Sequence, residues 1–208
     1  MVNSVDIILL RHGMTKENEE SRYIGWTDSP LSVNGRKEVE LVSRNIFQVA
    51  ASSRIYTSDL VRTIETAHIL FPNHQTFEIE QLREMNFGKW ECLTYNDLKD
   101  DSEYQTWLDQ LFTYKLPQGE SADIFTERID QAFDEIKKDI IREQLEEVVL
   151  VVHGGVIRHL LAKLTRENKG FFDWKIPYSR GYRLTFTCDN FKEGMPCTSL
   201  QVVPTMGS

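Results

Sequence analysis

Two histidines stand within two residues of the ends of mostly apolar runs that have the composition of buried strands. His12 follows residues 5–10, His153 follows residues 147–152, and a glycine comes next in both places. The carboxyl ends of neighbouring parallel strands converge, so the two imidazoles could face one another. Because histidine changes its protonation near neutral pH, such a pair is a candidate for nucleophilic or proton-transfer chemistry.

The rest of the pattern predicts the elements that would hold these histidines in place. Strand-like segments alternate with segments of helical periodicity. The predicted strands are residues 5–10, 54–57, 77–80, 147–152, 182–187 and 199–203, and the predicted helices are residues 33–49, 59–70, 121–141 and 155–164. This order favours a single α/β domain over residues 1–208, built as a three-layer α/β/α sandwich around a mainly parallel sheet.

Two segments interrupt this alternation. Residues 13–31 follow the first strand without a clear period, and residues 84–120 follow the third. The second segment is rich in aromatic residues, namely Phe87, Trp90, Tyr95, Tyr104, Trp107, Phe112 and Tyr114. Long segments at strand ends are candidate binding loops, so we expect residues 84–120 to form a lid insertion. Its rings could contact a substrate, or they could pack the lid onto the body.

Composition and charge exclude several classes of function. The chain has 208 residues, of which 40% are hydrophobic and 27% charged, a globular balance. The net charge of −8 argues against nucleic acid as a partner, and a phosphate site would have to gather positive charge locally. No apolar run approaches the ~20 residues of a membrane span, and neither a signal peptide nor a metal-binding cysteine spacing is visible. We therefore expect a cytoplasmic protein without a membrane partner.

Four motifs occur in a fixed order between about residues 5 and 160. The first two are Arg-His-Gly-Met-Thr at residues 11–15, with Gly-Trp at 25–26, and Tyr-Thr-Ser-Asp-Leu at 56–60, with Arg62. The others are Leu-Arg-Glu at 82–84, with Phe-Gly at 87–88 and Trp-Glu at 90–91, and His-Gly-Gly-Val-Ile-Arg at 153–158. Together they resemble the motifs of the histidine phosphatase superfamily, the phosphoglycerate-mutase-like group.

The resemblance implies roles that the chemistry of these residues supports. His12 would attack phosphorus and carry the phosphoryl group as a phosphohistidine. Arg11, Arg62 and His153 would surround the phosphoryl oxygens. Glu84 would protonate the leaving oxygen and then deprotonate the attacking water. These residues supply the charge that a metal would, so neither a metal nor a cofactor is expected.

Further residues are candidates for neutral contacts to the substrate. Thr15, Asn18 and the amides near Gly25 and Gly154 could donate hydrogen bonds, although Thr15 and Asn18 could equally be turn formers. Glu120 and Ser121 could contact the substrate, or Ser121 could cap the helix that follows. The remaining histidines are expected to be structural; they are His68, His74 and His159.

The family that the motifs resemble contains both mutases and phosphatases, which the motifs alone do not distinguish. Family mutases carry extra basic residues after the acid motif, whereas here the cations between Met85 and Leu116 are Lys89, Lys99 and Lys115. Water is therefore the expected acceptor, and the substrate a small phosphomonoester. The sequence looks most like α-ribazole phosphatases and broad-specificity phosphatases, except that Cys92 replaces their usual glycine. A cofactor-dependent phosphoglycerate mutase and a non-catalytic phosphate-binding module remain the alternatives.

Overall fold

The strands form one sheet in the computed structural model, which describes residues 4–44, 48–110 and 113–204. The strands are β1 (Ser4–Arg11), β2 (Arg54–Thr57), β3 (Thr76–Glu78), β4 (Glu147–Val152), β5 (Gly181–Thr187) and β6 (Ser199–Val203). Within these ranges their order is β3-β2-β4-β1-β5-β6. The first four pair in parallel, and β5 runs antiparallel to both of its neighbours. The mainly parallel sheet is confirmed.

Helices and single turns fill the connections between these strands. The helices are α1 (Lys16–Glu19), α2 (Val33–Ser43), α3 (Val61–Leu70), α4 (Tyr95–Leu98), α5 (Ser102–Asp109), α6 (Ala122–Glu143), α7 (Gly154–Leu164) and α8 (Cys188–Glu193). Three 3₁₀ turns span Glu80–Leu82, Gly88–Trp90 and Phe171–Asp173. The short helices α1 and α8 were not expected from the sequence, because one or two turns carry too little periodicity to be recognised.

Strands β1 and β4 lie next to each other in the middle of the sheet, with helices on both faces. Ile8 and Leu10 of β1 pack in the core cluster of α2 and α3. Ile7 and Leu9 point the other way and pack in the cluster of α6 and α7. Alternate residues of a strand face opposite sides, so covering both sides requires a continuous apolar run. The three-layer α/β/α arrangement is confirmed.

Helix α6 packs in the same core cluster as Ile7 and Leu9 of β1. Ser121 caps its first turn, because its Oγ accepts a hydrogen bond from the amide of Ile124 at 3.4 Å. Its buried apolar residues recur at helical spacing, namely Phe125, Ile129, Phe133, Ile136 and Ile140. The helix ends where Gln144 takes a left-handed conformation. Prediction and structure therefore agree here to within about one turn.

Other boundaries differ from the predictions. The helix expected over residues 33–49 ends at Ser43, and two of the apolar residues that suggested its length, Ile46 and Phe47, lie outside the described residues. Leu41 is 60% exposed while Val42 is buried, because the buried face of this helix contains Gly35, Val39 and Val42 and leaves Leu41 outside it. The strand expected at residues 77–80 is Thr76–Glu78 and passes directly into a 3₁₀ turn.

The lid insertion packs around a small core of its own. Trp90 is 3% exposed, and its ring lies 5.3 Å from that of Tyr104 and 5.5 Å from that of Trp107. Leu98 and Leu116 complete this cluster. Most of the described lid aromatics therefore hold the lid together, whereas Phe112 lies outside the described residues.

Candidate active site

The two histidines lie side by side at the ends of β1 and β4. Arg11 stands opposite Val152 in the strand register, so the next residues are His12 and His153. Their ring centroids are 5.1 Å apart, with the ring planes at 61°. Both side chains are buried. The imidazoles thus face one another, as the strand ends predicted.

The ring of His12 is oriented by the backbone of the next residue. Its Nδ1 lies 2.6 Å from the carbonyl oxygen of Gly13, which can only accept, so Nδ1 carries the proton of this hydrogen bond. In the neutral ring, Nε2 then holds the lone pair. Burial, and after it the charges of Arg62 and Arg11, keep the pKa of His12 well below its usual range. His12 is therefore a neutral imidazole with a nucleophilic Nε2.

His153 is held by the hydroxyl group of Ser58, to which the sequence analysis gave no role. Ser58 Oγ lies 2.8 Å from Nε2 of His153 and 2.9 Å from Oγ1 of Thr63. Burial, followed by the charge of Arg62, keeps the pKa of His153 well below its usual range. Nδ1 of His153 is buried and has no hydrogen-bond partner among the described residues. One ring nitrogen is fixed, and the other is left for a ligand.

Arg62 is a fully buried cation held by two backbone carbonyls. Its Nη1 donates to the carbonyl of Thr27 at 2.9 Å, and its Nη2 donates to that of Gly25 at 2.6 Å. Burial lowers the pKa of Arg62 to about 10, so the side chain stays protonated at neutral pH. Within the described ranges, its Nε finds no acceptor.

Arg11 supplies a second guanidinium beside His12. Its Nη1 donates to the carbonyl of Ile176 at 2.7 Å, and its Cζ lies 3.7 Å from the centre of the Tyr178 ring. Burial lowers the pKa of Arg11. Its buried Nε also has no acceptor in the part of the chain that the structure describes. A buried donor without an acceptor is costly, and a phosphoryl oxygen is an acceptor that would satisfy it.

Glu84 is fixed next to the start of α7. Its carboxylate accepts hydrogen bonds from the amide of Gly155 at 2.8 Å and from that of Met85 at 3.0 Å. Its backbone carbonyl accepts one from Nε1 of Trp26 at 3.0 Å. Gly155 comes two residues after His153, so these bonds bring the carboxylate of the acid motif to the strand end that carries the second histidine.

Arg128 on α6 holds the backbone around Glu84, and sequence reasoning missed it. Its Nη1 donates to the carbonyls of Gln81 and Arg83 at 2.7 and 2.9 Å, and its Nη2 reaches that of Glu84 at 3.3 Å. Its Nε and Nη2 also donate hydrogen bonds to the two carboxylate oxygens of Glu120, at 2.9 and 2.8 Å. All five guanidinium protons are used. Glu120 is thereby committed to Arg128, and the alternative that it contacts substrate loses support.

Glu91 organises the loop that holds Arg62. Its carboxylate accepts from the amides of Gly25 at 3.0 Å, Trp26 at 2.9 Å and Thr27 at 3.2 Å, and also from that of Phe87. The Gly25 amide is thus engaged by Glu91, and a contact from the amides near Gly25 to substrate stays a prediction. Gly25 serves the site through its carbonyl, which holds Arg62.

Cys92 stands where the resemblance led us to expect glycine. Its φ is +63°, in the left-handed region that glycine adopts without steric cost. Its amide donates to the carbonyl of Tyr23 at 2.8 Å, so the turn forms with cysteine as well. The substitution therefore leaves the position of Glu91 next to it intact.

The other expected substrate-binding residues differ in whether their polar groups are already hydrogen-bonded within the protein. Thr15 caps α1, where its Oγ1 accepts from the amide of Asn18 and its own amide donates to Asn18 Oδ1. Their turn-forming role is therefore observed, and a contact to substrate remains a prediction. Gly154 opens α7, whose N-terminal amides suit an anion. A Cβ atom on Gly154 would lie 3.5 Å from Cζ of Arg11 and 3.3 Å from Nη1 of Arg158, so two guanidinium groups flank it.

The depressed pKa values of both histidines predict a loss of stability in mild acid. Unfolded histidines protonate near pH 6.5, whereas folded His12 and His153 stay neutral well below it, so the unfolded state binds more protons there. Stability is full above about pH 6.5 and falls by up to ~1.4 kcal/mol per pH unit for each histidine below it. Urea unfolding at pH 7.5 and 5.5 measures this. The double variant His12→Gln/His153→Gln should lose most of the slope, and an unchanged slope would contradict the assignment.

Residues 4–44, 48–110 and 113–204 contain neither a candidate metal site nor a candidate membrane span. No group of three or more His, Cys, Asp or Glu side chains there has the geometry to hold a metal ion. No helix in the same ranges is long and apolar enough to cross a bilayer. The expectation of a cytoplasmic location remains a prediction.

The chain is similar to one protein family and to several known proteins. The model of the histidine phosphatase superfamily (branch 1) matches residues 7–193. Phosphoglycerate mutase-like protein 4 of Arabidopsis thaliana is 30% identical over 165 residues, 76% of this chain and 70% of that protein. Adenosylcobalamin/alpha-ribazole phosphatase of Escherichia coli (strain K12) is 26% identical over 161 residues, 75% of this chain and 77% of that protein. The crystal structure of the alpha-ribazole phosphatase from Shigella flexneri has a TM-score of 0.77 at 21% identity, covering 88% of this chain and 92% of that chain.

The α/β/α sandwich matches the fold of the histidine phosphatases, a class of phosphatase enzymes. The match over residues 7–193 makes the family explicit: the chain belongs to the histidine phosphatase superfamily, branch 1. The resemblance carried by the four motifs is therefore confirmed. The Shigella structure supports the fold, and the names of the sequence relatives include both a mutase-like protein and a phosphatase.

Proposed function

We propose that this protein is a phosphomonoesterase that hydrolyses a small organic phosphate through a phosphohistidine on His12. One observation carries the proposal: a neutral, buried imidazole lies among buried donors without acceptors among the described residues. These donors are Nε of Arg11 and Nε of Arg62, with Nδ1 of His153 beside them. A phosphoryl group presents three equatorial oxygens, and charge stabilisation and alignment are what its transfer requires.

The first step moves the phosphoryl group to the protein. The Nε2 lone pair of His12 forms a bond to phosphorus while the bond from phosphorus to the ester oxygen breaks. Glu84, in its protonated form, gives its proton to that oxygen, and the alcohol leaves. Arg11 and Arg62 stabilise the charge on the phosphoryl oxygens.

The second step regenerates His12. Glu84, now a carboxylate, takes a proton from water as the water oxygen forms its bond to phosphorus. The bond between phosphorus and Nε2 breaks, and inorganic phosphate leaves. Glu84 ends the cycle protonated and His12 neutral, so both groups return to their starting states.

Hydrolysis is favoured over mutase activity by the charge of the lid. Between Met85 and Leu116 the cations are Lys89, Lys99 and Lys115, without an arginine to bind the carboxylate of a phosphoglycerate. The superfamily relative named an adenosylcobalamin/alpha-ribazole phosphatase adds a candidate, α-ribazole 5′-phosphate, as the physiological substrate.

A panel of phosphomonoesters tests the proposal. We expect phosphate release from several esters, with a higher kcat/KM for α-ribazole 5′-phosphate than for 3-phosphoglycerate. If 3-phosphoglycerate is preferred, or if 2,3-bisphosphoglycerate stimulates interconversion of phosphoglycerates, the mutase replaces the phosphatase. If phosphate binds but no ester is turned over, the protein is a non-catalytic phosphate-binding module.

A further inference from the structure

A cavity of about 290 Å³ lies beside the candidate proton donor. Glu84 and Gly155, whose amide holds the Glu84 carboxylate at 2.8 Å, form part of its wall. This volume is close to the lower end of the ~300–1,000 Å³ typical of small-molecule sites. The cavity is therefore large enough for one compact organic group.

Two pairs of aromatic residues face this cavity from different parts of the chain. Phe87 and Trp107 come from the lid, where their ring planes stand at 88°. Phe171 and Phe172 come from the 3₁₀ turn after α7, with ring centroids 5.0 Å apart. Trp90, which the sequence made a candidate for substrate contact, is buried in the lid core instead.

We propose that this cavity is the leaving-group subsite and that it takes a flat aromatic ring. The inference rests on the proposed function, because it locates the alcohol half of the ester. Glu84 must reach the leaving oxygen, and the rest of the alcohol extends from that oxygen. Whatever extends past the Glu84 carboxylate meets the aromatic pairs.

The apolar surfaces around the cavity suit a flat ring better than a flexible chain. Phe172 is 60% exposed, so a ring placed against it would remove apolar surface from water. Arg158 lies at the same wall, with its Cζ 5.9 Å from the centre of the Phe171 ring. A guanidinium group is attracted to the faces of aromatic rings at such distances. His159 already hydrogen-bonds to Asp130 at 2.7 Å.

The test uses substrates whose leaving oxygens are alike and whose tails differ. We compare kcat/KM for 2-phenylethyl phosphate, 2-cyclohexylethyl phosphate, n-propyl phosphate and phosphoserine. The variant is Phe172→Ala, which alters an exposed ring, and the control is Leu41→Ala, which alters an equally exposed apolar residue on α2. The matching phosphonates give binding constants that need no turnover.

We expect 2-phenylethyl phosphate to exceed n-propyl phosphate by about tenfold or more, and to exceed the non-planar cyclohexyl ester. Phe172→Ala should remove most of that advantage, while Leu41→Ala leaves the ratio of the two esters unchanged. Equal binding of phenyl and propyl phosphonates overturns the subsite, and so does a preference for phosphoserine, which would assign Arg158 to an anionic tail. Failure of all esters to turn over, with the phosphonate preference intact, overturns the proposed function and leaves the subsite standing.

A second inference comes from the hydrogen bonds of Arg128. We infer that Arg128 is a positioning residue for the proton donor, because it donates to the backbone carbonyls of Gln81, Arg83 and Glu84. Glu120 fixes the guanidinium in turn and also accepts from the amide of Asn86 at 2.9 Å. Lysine has three donors on a single nitrogen and cannot reproduce this fork.

The test compares the loss of rate on two esters with different leaving groups. A positioning role should affect mainly the ester that needs protonation, whereas a loss of stability should affect both. Arg128→Lys should slow n-propyl phosphate by about tenfold and p-nitrophenyl phosphate far less, because the second leaving group needs little protonation. In a Glu84→Gln background the same change should cost almost nothing more. Equal losses on both substrates, or full additivity of the two substitutions, would show that Arg128 acts only on folding. Arg142→Lys, an exposed substitution on the same helix, serves as the control.

Discussion

Replacement of His12 by alanine is expected to reduce kcat for phosphomonoester hydrolysis to below about one-thousandth of its wild-type value. The reason is geometric, since the neighbouring residues cannot supply another nucleophile. In the proposed arrangement Nδ1 of His153 faces a phosphoryl oxygen as a donor while its Nε2 is engaged by Ser58 at 2.8 Å, and the flanking arginines stay protonated at neutral pH. Removal of the His12 ring therefore leaves the phosphate cradle in place with nothing to attack phosphorus.

Rapid acid quench of the wild-type protein with labelled substrate measures the same step directly. The trapped phosphoprotein should be stable in base and labile in acid, as expected for a phosphorus–nitrogen bond. His68→Ala, which removes an exposed histidine on α3, should keep full activity and labelling. If His12→Ala kept more than a few per cent of the activity and was still labelled, the nucleophile would be a different residue.

Replacement of Glu84 by glutamine is the second large effect. The amide keeps the shape of the side chain and can still accept from Gly155. Its NH2 group is far too weak an acid to protonate a leaving oxygen. We expect cleavage of n-propyl phosphate to slow by about 10²–10⁴-fold and that of p-nitrophenyl phosphate to slow much less. Single-turnover rates are the measurement, because they isolate the cleavage step from hydrolysis of the phosphohistidine.

The control for this substitution is Glu78→Gln, at an exposed position in β3. It should change neither substrate. If Glu84→Gln slows the cleavage of both esters by the same factor, the carboxyl group is not transferring a proton to the leaving oxygen, and its part would be limited to holding the start of α7.

The sequence predicted those parts of the molecule that depend on local pattern. The apolar runs before His12 and His153 determine two adjacent central strands, so the meeting of the histidines followed from strand position alone. The cap at Ser121 and the apolar spacing after it likewise predicted α6 closely. Each of these depends on residues near one another in the chain, where periodicity is a direct physical signal.

The parts that escaped prediction depend on contacts between distant residues. Arg128 reaches carbonyls more than forty positions earlier, and Glu91 binds amides more than sixty positions earlier. A charged residue at such a place looks like any other surface residue, because its partners are backbone groups and carry no mark in the sequence. The same holds for Arg158, which α7 brings to the cavity although the lid itself has no arginine after Glu84 in its described residues.

Gly155 shows how a single residue can report on whether a relative still works as an enzyme. A Cβ atom built there would lie 2.3 Å from Oε1 of Glu84, although the backbone is outside the left-handed region that selects for glycine. The position is therefore kept small by the carboxylate and not by the chain conformation. A homologous sequence with both histidines but a bulky residue here would have had to move its acid away. The residue at this position would therefore distinguish homologues that only bind phosphate from homologues that hydrolyse phosphomonoesters, on the basis of sequence alone.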